Sequence, residues 1–447
     1  MSPEIISILA LVAIFAIATA LPINMGALAF VAAFLVGTLA VGLSTDDIIA
    51  GFPGGLVLTL IGVTYLFAIA QNNGTVDLLV RGAVKLVAGR VAFIPWVMFA
   101  VTAVLTAIGA LSPAAVAIIA PIALGFAAKH RINPLLMGMM VVHGAQGGGF
   151  SPISVYGVTV NGIVDDNDLP GSPLTIFLAS LLFNLAIAVV LFLVFGGRQL
   201  MGRRVGDEVE AEERALAGTG DRSSVVRGHG TAASADTDTR TDTRTVRAGV
   251  TAEQVLTLVG LVTLAVLALA FDLDIGFVSI TIATVLALFS AARHKGAVMQ
   301  ISWSTVLLIA GVLTFVFVLQ EAGTISYVGE GVTALGSPLL VALLLAYIGA
   351  VVSAFASSTA IIGVAISLAV PFLLAGEIGA VGVVAALAVA STIVDVSPFS
   401  TNGALVLANA QDIDRDRFYK QMLGYSGVVV AVGPLVAWLV FVVPGWM

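Results

Sequence analysis

Long apolar runs fill this sequence, and in each half two of them are broken by polar residues at corresponding positions. In the first half Ser112-Pro113 breaks one run, and Ser151-Pro152 breaks the next, 39 residues further on. In the second half the breaks are residues 357–359, Ser-Ser-Thr, and Ser397-Pro398, 40 residues after the first of them. Non-helical backbone at membrane depth is tolerated only where it is buried in protein or lines a polar cavity. The corresponding breaks therefore predict a transporter with its binding site near the middle of the membrane.

The composition supports a membrane protein and excludes several other classes. Hydrophobic residues make up 59% of the 447 positions and charged residues 10%, against about 25% charged residues in soluble domains. The sequence lacks a basic cluster with interleaved aromatic residues, so no nucleic-acid partner is predicted. It contains no cysteine and none of the common hydrolase, zinc-protease or phosphate-binding motifs. We therefore predict that the protein is not an enzyme and carries no cofactor other than a coupling ion.

A helix needs about 20 apolar residues to cross the hydrocarbon layer, and on this scale the sequence predicts a series of membrane spans. They lie near residues 4–21, 24–43, 54–72, 134–162, 172–196, 252–271, 275–292, 303–320, 380–411 and 421–442. The spans near 134–162 and 380–411 are too long for one crossing and contain polar loops, so each is predicted as two half-helices. Two further apolar stretches, 93–128 and 338–375, are predicted as re-entrant hairpins with the other two breaks at their tips. The predicted fold class is an all-α integral membrane protein.

Three units follow from this arrangement: a first repeat over residues 1–197, a linker over 198–250 and a second repeat over 251–447. The linker is polar and charged, so we predict that it is disordered. Lys and Arg in the loops fall on one side of the membrane in this map, which places the linker in the cytoplasm and both termini outside. Each half has an odd number of crossings, and the second repeat is therefore inverted relative to the first. Segments 75–90 and 324–336 are predicted as surface arms.

Helix starts inside the membrane are candidate sites for an anion, because the first N–H groups of a helix are unpaired and its dipole is positive there. We predict that Pro113 and Ser358-Thr359 open the second helices of the hairpins, and that the two Ser-Pro pairs open the second halves of the broken spans. The predicted substrate-binding residues are Ser112, Pro113, Ser151, Pro152, Ser357, Ser358, Thr359, Ser397, Pro398, Thr401 and Asn402. A single Ser or Pro in a membrane helix is more often a kink or a hydroxyl bonded to its own helix, so the prediction depends on the four breaks occurring together.

Carbonyl groups at the ends of the half-helices and in the loops could hold a small cation beside the anion. The predicted cation ligands are Ser112, Gly148, Gly149, Phe150, Ser357, Val394, Asp395 and Val396. Asp395 is the carboxylate placed near mid-depth, where an ionisable group indicates function, although it could instead stabilise its loop alone. His143 is equally consistent with a functional role and with helix packing, and Gln71 and Glu321 are predicted as solvated span ends.

With these motifs the chain resembles the ion transporter superfamily, most closely the MatC-type malonate/dicarboxylate carriers, and it is related to the divalent anion–sodium symporters. In the symporters each hairpin tip carries Ser-Asn-Thr and each broken span carries Ser-Pro or Thr-Pro. Residues 357–359 stand where the second tip would be, and Ser112-Pro113-Ala114 stands at the first, where the Asn and Thr side chains are missing. The resemblance covers nearly the whole chain except the linker. It implies a homodimer in which an elevator-like domain of hairpins and broken spans slides against a scaffold.

The sequence leads to one main functional prediction and two alternatives. The main prediction is a carrier in a bacterial-type inner membrane that moves malonate or a four-carbon dicarboxylate, coupled to Na⁺ or H⁺. An anion would be held there by helix dipoles, hydroxyls and coupled cations, since the predicted spans contain no Lys or Arg in their core. The first alternative is a sodium/proton antiporter on the same fold, with Asp395 as the exchanging group. The second is a non-transporting membrane sensor or scaffold.

Overall fold

The computed structural model describes residues 2–21, 23–85, 90–203, 250–271, 273–324, 327, 337–354, 358–374, 378–410 and 414–445. Within these ranges the chain is built from helices and contains no β-strand. Residues 204–249 of the predicted linker, most of the predicted arm 324–336 and Ser357 lie outside the described residues. The predictions made for them stay predictions.

The first half of the chain forms eleven described helices. They are α1 (Pro3–Ala20), α2 (Met25–Val36), α3 (Thr45–Ala50), α4 (Gly54–Asn72), α5 (Thr75–Lys85), α6 (Phe93–Ala107), α7 (Ser112–Lys129), α8 (Pro134–Gly148), α9 (Val155–Asp166), α10 (Pro173–Val194) and α11 (Gly197–Leu200). A π-helical turn, Gly37–Val41, continues α2. Both predicted interruptions are present, one between α6 and α7 and the other between α8 and α9.

The second half repeats much of this order. Its described helices are α12 (Ala252–Ala270), α13 (Ile275–Phe289), α14 (Trp303–Glu321), α15 (Pro338–Ser353), α16 (Ser358–Leu374), α17 (Ala380–Ile393), α18 (Thr401–Ala408) and α19 (Arg415–Phe441). A 3₁₀ turn, Ala297–Gln300, precedes α14. The interruptions between α15 and α16 and between α17 and α18 correspond to those of the first half.

The apolar helices make this a multi-pass membrane protein. By length and composition α4, α7, α10, α14 and α19 are each able to cross a membrane, and a further set of shorter apolar helices accompanies them. Large apolar side chains on the outer face of α10, such as Leu178, Leu182 and Val190, are exposed. Such a surface is unfavourable in water and suits contact with lipid.

Two details of the helical framework differ from the sequence-based expectations, and local capping accounts for both. Helix α19 begins at Arg415 rather than near 421, because the Asp414 side chain accepts a hydrogen bond from the backbone N–H of Arg417 and starts the helix earlier. Helix α3 was not predicted; Ser44 and Asp47 form a reciprocal capping box at its start. The predicted arm 75–90 is helical over Thr75–Lys85.

The second span of each half crosses the third span of the other half at glycines. Where α2 crosses α14, a Cβ on Gly26 would lie 2.0 Å from the carbonyl oxygen of Leu307, and a Cβ on Gly311 would lie 2.0 Å from that of Gly26. Where α13 crosses α4, a Cβ on Gly62 would lie 2.8 Å from the carbonyl oxygen of Gly276. Only glycine permits helix backbones to approach this closely. The two halves are therefore interlocked through these crossings.

Two polar contacts also join the first half of the chain to the second, and they are arranged in the same reciprocal way as the glycine crossings. The hydroxyl of Ser7 in α1 lies 2.5 Å from the hydroxyl of Thr324, which follows α14. The side-chain amide of Asn73, which follows α4, donates to the hydroxyl of Thr257 in α12 at 2.6 Å. All four side chains are buried. The first span of each half is thus tied to the end of the third span of the other half.

A second group of helices surrounds two central ones, α8 and α17. Every residue from Leu135 to Gly148 in α8 is buried, and so is almost all of α17. Helices α6, α7 and α10 pack against α8, and α15, α16 and α19 pack against α17. In addition α7 packs against α18, and α16 packs against α9. This arrangement brings each helix that starts inside the molecule next to a broken span of the other half.

Candidate transport site

The two broken spans change direction through loops of the same construction, which we name the first crossover loop (residues 149–154) and the second crossover loop (residues 395–400). The backbone N–H of Ser151 donates to the carbonyl of Gly148 at 3.1 Å, and that of Ser397 donates to the carbonyl of Val394 at 3.2 Å. A serine hydroxyl near the end of each loop, from Ser154 or Ser400, donates 2.7 Å back to the Ser151 or Ser397 carbonyl. The two loops therefore share their hydrogen-bonding scheme.

The helices after the crossover loops begin three residues later than predicted. The Ser-Pro pairs lie in the turns, and the N-caps are Ser154 and Ser400, whose hydroxyls accept from the backbone N–H of Gly157 and Gly403 at 3.3 and 3.4 Å. A proline suits a first helical turn but does not fix where the helix starts, whereas a serine hydroxyl that pairs an open N–H group does. Both loops carry the pattern Ser-Pro-x-Ser-x-x-Gly, so the capping serines could have been found from the sequence.

The glycine of that pattern is required by close packing in both loops. A Cβ on Gly157 would lie 1.9 Å from the carbonyl oxygen of Ser151, and a Cβ on Gly403 would lie 1.9 Å from that of Ser397. Real Cβ atoms do not approach backbone atoms this closely, so any other residue would move the loop. The first turn of each following helix is folded against the Ser-Pro turn before it.

The interrupted hairpins each supply a serine at the start of a helix. Helix α7 begins at Ser112 and helix α16 at Ser358, and both side chains are buried. The Ser353 hydroxyl donates to the Ser358 hydroxyl at 2.9 Å, so it supports the second tip. Ser358 precedes Ser397 by 39 residues, the same spacing that separates Ser112 from Ser151. Ser358, rather than Ser357, is therefore the counterpart of Ser112. Thr359 belongs to α16, and its side chain lies outside the described part of the structure.

Asp395 is the point at which these elements meet. Its carboxylate is buried, with 4% of the residue exposed. It accepts a hydrogen bond from the Asn402 side-chain amide at 2.8 Å and another from the Asn402 backbone N–H at 3.3 Å. The same side-chain amide donates to the Ser112 hydroxyl at 2.7 Å, and the hydroxyls of Ser400 and Ser358 interact with the Asp395 carboxylate. Side chains from both hairpin tips and from the second broken span therefore converge on one carboxylate.

The amide oxygen of Asn402 is left available in this cluster. Both hydrogens of the Asn402 amide nitrogen are donated, one to Asp395 and one to Ser112, while the Oδ1 atom is buried and has no hydrogen-bond partner among the described residues. A buried acceptor without a donor is costly, and none of the cluster's members carries a positive charge. Carboxylate and amide oxygens are the ligands that hard cations prefer. The cluster thus has the donor set, the charge and the open oxygen that a small cation needs.

The carbonyl groups predicted as cation ligands lie in the crossover loops or just before them, and several of them already accept a hydrogen bond. The Gly149 carbonyl accepts from the Ser154 hydroxyl at 2.5 Å, and the Gly148 and Val394 carbonyls accept the loop N–H groups described above. The Phe150 and Val396 carbonyl oxygens lie against the helix starts, 2.9 Å from where a Cβ on Gly157 or Gly403 would stand. A carbonyl keeps a second lone pair after one hydrogen bond, so their role as ligands stays a prediction.

The other predicted site residues are distributed around this cluster. Ser151, Ser397 and Pro398 are buried in the crossover loops, Pro113 and Pro152 are partly buried, and Thr401 is exposed at the start of α18. No contact joins the first crossover loop to Asp395 among the described hydrogen bonds. Gln71 and Glu321 are exposed at the ends of α4 and α14, in agreement with their prediction as solvated ends.

His143 lies in a different polar group, behind the first crossover loop. Its Nδ1 atom is 2.8 Å from the Asn184 side-chain oxygen, and its Nε2 atom is 2.6 Å from the Tyr425 hydroxyl. Because the Asn184 amide nitrogen donates to the Ser180 carbonyl at 2.9 Å, the Asn184 oxygen is free to accept from Nδ1. Both ring nitrogens are satisfied, and the three helices α8, α10 and α19 are joined through them. This geometry favours the helix-packing interpretation of His143.

An all-helical membrane fold with a buried polar cluster between interrupted helices is typical of membrane carriers. Residues 1–149 match the family model described as the dicarboxylate carrier protein MatC N-terminus. The match covers the first third of the chain, from α1 to the end of α8, and relates the protein to the MatC-type dicarboxylate carriers. It includes Ser112 but ends before Asp395 and Asn402. No curated protein matches the sequence.

Proposed function

We propose that this protein is a secondary carrier that moves a small dicarboxylate across the membrane together with a cation bound at Asp395. The observation that carries the proposal is the junction of Asp395, Asn402, Ser112 and Ser358, in which the Asn402 Oδ1 atom has no hydrogen-bond partner in the described part of the chain. The relationship of the first 149 residues to dicarboxylate carriers supplies the substrate class. Malonate or a four-carbon dicarboxylate is the substrate we expect.

The electrostatics of the cluster explain why a cation must accompany the substrate. A dicarboxylate brings two negative charges to a site that already contains the Asp395 carboxylate. The helix starts at Ser112 and Ser358 offer about half a positive charge each, which cannot balance that sum. Transferring unpaired charge into a partly desolvated site is strongly unfavourable. A cation, Na⁺ or H⁺, held by the Asp395 and Asn402 oxygens would lower this cost and so couple its own gradient to the substrate.

The packing between halves supports an inverted repeat and an elevator-type movement. The glycine crossings and the polar contacts between the halves join α1, α2 and α4 of the first half to α12, α13 and α14 of the second. In our proposal these six helices form the scaffold. The hairpins and broken spans, with the Asp395 cluster between them, form the moving part. The chain lies in an inner membrane as a homodimer, with both termini outside and the linker in the cytoplasm. Cysteines introduced at Thr45 and Ser223 are expected to react from outside and inside respectively; reaction of both from one face would contradict the inversion.

Thermal unfolding of the purified protein tests the transport proposal. The melting temperature is measured with malonate, succinate, malate, citrate and inorganic anions, with Na⁺ or choline at constant ionic strength and at several pH values. We expect a dicarboxylate to stabilise the protein only when the coupling cation is present. Asp395→Asn should weaken cation-dependent binding by about 30-fold or more, since it removes a buried charge from its partner. Asp46→Asn, at an exposed position in α3, is the matched control and should behave as the wild type.

The sodium/proton antiporter remains the second candidate, because Asp395 is a buried carboxylate that a proton or Na⁺ could occupy in turn. In that case Na⁺ and pH would change the melting temperature, Asp395→Asn would abolish both effects, and no organic anion would bind. If neither dicarboxylates nor cations affect the wild-type protein, both transport proposals fail. The sensor or scaffold alternative would then be the appropriate one.

A further inference from the structure

A groove runs between α10 and α19 on the outer surface of the protein, away from the Asp395 cluster. Its volume is about 430 Å³. Apolar side chains of α10 form one wall, among them Ile187 and Val194, and Tyr425 and Val428 of α19 form the other. At one end the groove is lined by Lys420 and Gln421. The groove therefore has apolar walls and one basic residue, Lys420, at one end.

This groove is the Lys420 end of a longer apolar face, because a second groove of about 740 Å³ shares Tyr425 and Val428 with it and continues along α10 and α19. On α19 the lining of the first groove extends from Lys420 to Val428, which is about 12 Å at 1.5 Å per residue. The hydrocarbon layer is about 30 Å thick, so one leaflet contributes about 15 Å. Lys420 is the last charged residue before the apolar remainder of the chain. With the apolar lining inside one leaflet, the Lys420 ammonium group would lie at the level of the lipid headgroups.

We propose that this groove binds an anionic phospholipid, with one acyl chain between α10 and α19 and the phosphate at Lys420. The start of α19 supports this occupant, since its exposed residues Arg415, Arg417 and Lys420 outnumber the exposed acids Asp414 and Asp416 and leave the segment with a net positive charge. Basic residues at a membrane surface attract anionic lipids. The tail contacts the apolar walls, and the headgroup meets the ammonium group.

A second copy of the chain suits the groove less well. Two copies inserted in the same direction and related by a two-fold axis along the membrane normal present the same patch to each other at the same depth. Closing them over this groove would bring the two Lys420 ammonium groups towards one another. The negative headgroup of a lipid would neutralise the charge of Lys420, whereas a second copy would add another positive charge beside it.

The structure offers a matched pair of glycines with which to fill the groove. Gly424 lines it, and a Cβ there would have no described atom within 4 Å. Gly427 lies on the same helix outside the groove, and a Cβ there is equally unobstructed. Native mass spectrometry of detergent-solubilised protein, titrated with phosphatidylglycerol or phosphatidylcholine, measures binding directly. We expect Gly424→Leu to reduce phosphatidylglycerol binding at least tenfold, and Gly427→Leu to leave it unchanged.

Substitutions of Lys420 test whether its charge binds the lipid headgroup. Lys420→Gln should lower phosphatidylglycerol affinity about fivefold, the effect of one basic residue near a membrane surface, and Lys420→Arg should retain it. Lys295→Gln, at an exposed lysine between α13 and α14 that does not line the groove, is the control and should leave the affinity unchanged.

Four results would overturn the proposal. They are equal binding by the two leucine variants, an unchanged affinity of Lys420→Gln, equal binding of phosphatidylcholine and phosphatidylglycerol by the wild type, and a loss of oligomer mass in Gly424→Leu. The last result would assign the groove to a second copy. Circular dichroism and melting temperature confirm that each variant is folded.

Discussion

The two crossover loops have the same backbone and different chemistry. Both run from a buried helix through Ser-Pro to a capping serine and an obligatory glycine. At the position of Asp395, however, the first loop has Gly149, and at the position of Asn402 it has Tyr156. A Cβ on Gly149 would lie 3.0 Å from the Tyr156 ring. The aromatic side chain therefore occupies space beside the first loop at the point that corresponds to the acid–amide pair in the second.

This difference separates what builds the turn from what binds a ligand. The shared serines and glycines satisfy backbone groups in both loops, and such groups must be paired wherever a helix is interrupted inside a membrane. The acid of the second loop and the amide of the helix that follows it have no counterparts at the first loop, and their partners include Ser112 of the opposite half. The second loop therefore supplies the charge, and the first half contributes a hydroxyl from its hairpin tip.

The largest expected effect tests the similarity of the two loops. Gly157→Ala and Gly403→Ala each place a Cβ 1.9 Å from a carbonyl oxygen, and overpacking against backbone costs about 3 kcal/mol or more. We expect both variants to give little folded protein, and any folded protein to melt at a much lower temperature than the wild type. Gly427→Ala, at an open position in α19, should remain folded. If only one of the two loop variants is destabilised, the two backbones are not equivalent.

A smaller effect separates the loops by chemistry. Asn402→Ala removes the amide that pairs with both Asp395 and Ser112, and leaving such buried groups unpaired costs about 1–3 kcal/mol. Cation-dependent substrate binding should weaken by roughly 5- to 150-fold. Tyr156→Phe alters the corresponding position of the first loop and should leave this binding unchanged. The measurement is a substrate titration at several cation concentrations; equal losses in the two variants would remove the proposed asymmetry.

The smallest expected effects come from the capping serines, which test both the shared backbone and the different chemistry of the two loops. Ser154→Ala and Ser400→Ala each remove an N-cap, which should lower the free energy of unfolding by about 1 kcal/mol in either loop. Only Ser400 also interacts with the Asp395 carboxylate, so only Ser400→Ala should change the cation concentration that gives half-maximal binding. Chemical unfolding in detergent and cation titrations of binding give the two quantities. A shift with Ser154→Ala would show that the first loop also takes part in cation binding.

Much of the helical framework could be predicted, because apolar length and polar interruption are local properties of the sequence. The bounds of α4 agree with the prediction at both ends, and both broken spans are interrupted at their Ser-Pro pairs. The prediction of helix starts is less accurate where a hydroxyl or carboxylate cap decides the first residue of the helix, as at Ser154, Ser400 and Asp414. These caps are recognisable only once the following N–H groups are known to be open.

The core of the site could be predicted only in part. Ser112, Asp395 and Asn402 are each predicted as candidate site residues from their position at a break, and their roles stay predictions. The contact between Ser112 and Asn402, however, joins residues 290 positions apart, and no local pattern encodes such a pairing. The same holds for the packing of α7 against α18 and of α16 against α9. Tertiary structure thus decides which of several polar residues share one carboxylate.

The glycine crossing between α2 and α14 has a consequence for biosynthesis. Gly26 leaves the ribosome long before Gly311, and the intervening chain takes roughly 15 to 60 s to make at bacterial and eukaryotic rates of about 5–20 residues per second. During that time the small-residue face of α2 has no partner from its own chain, although the helix is already in the lipid. The first half is therefore an insertion intermediate that awaits its other half. Separately expressed halves should associate in the membrane through the faces that the nascent chain holds open.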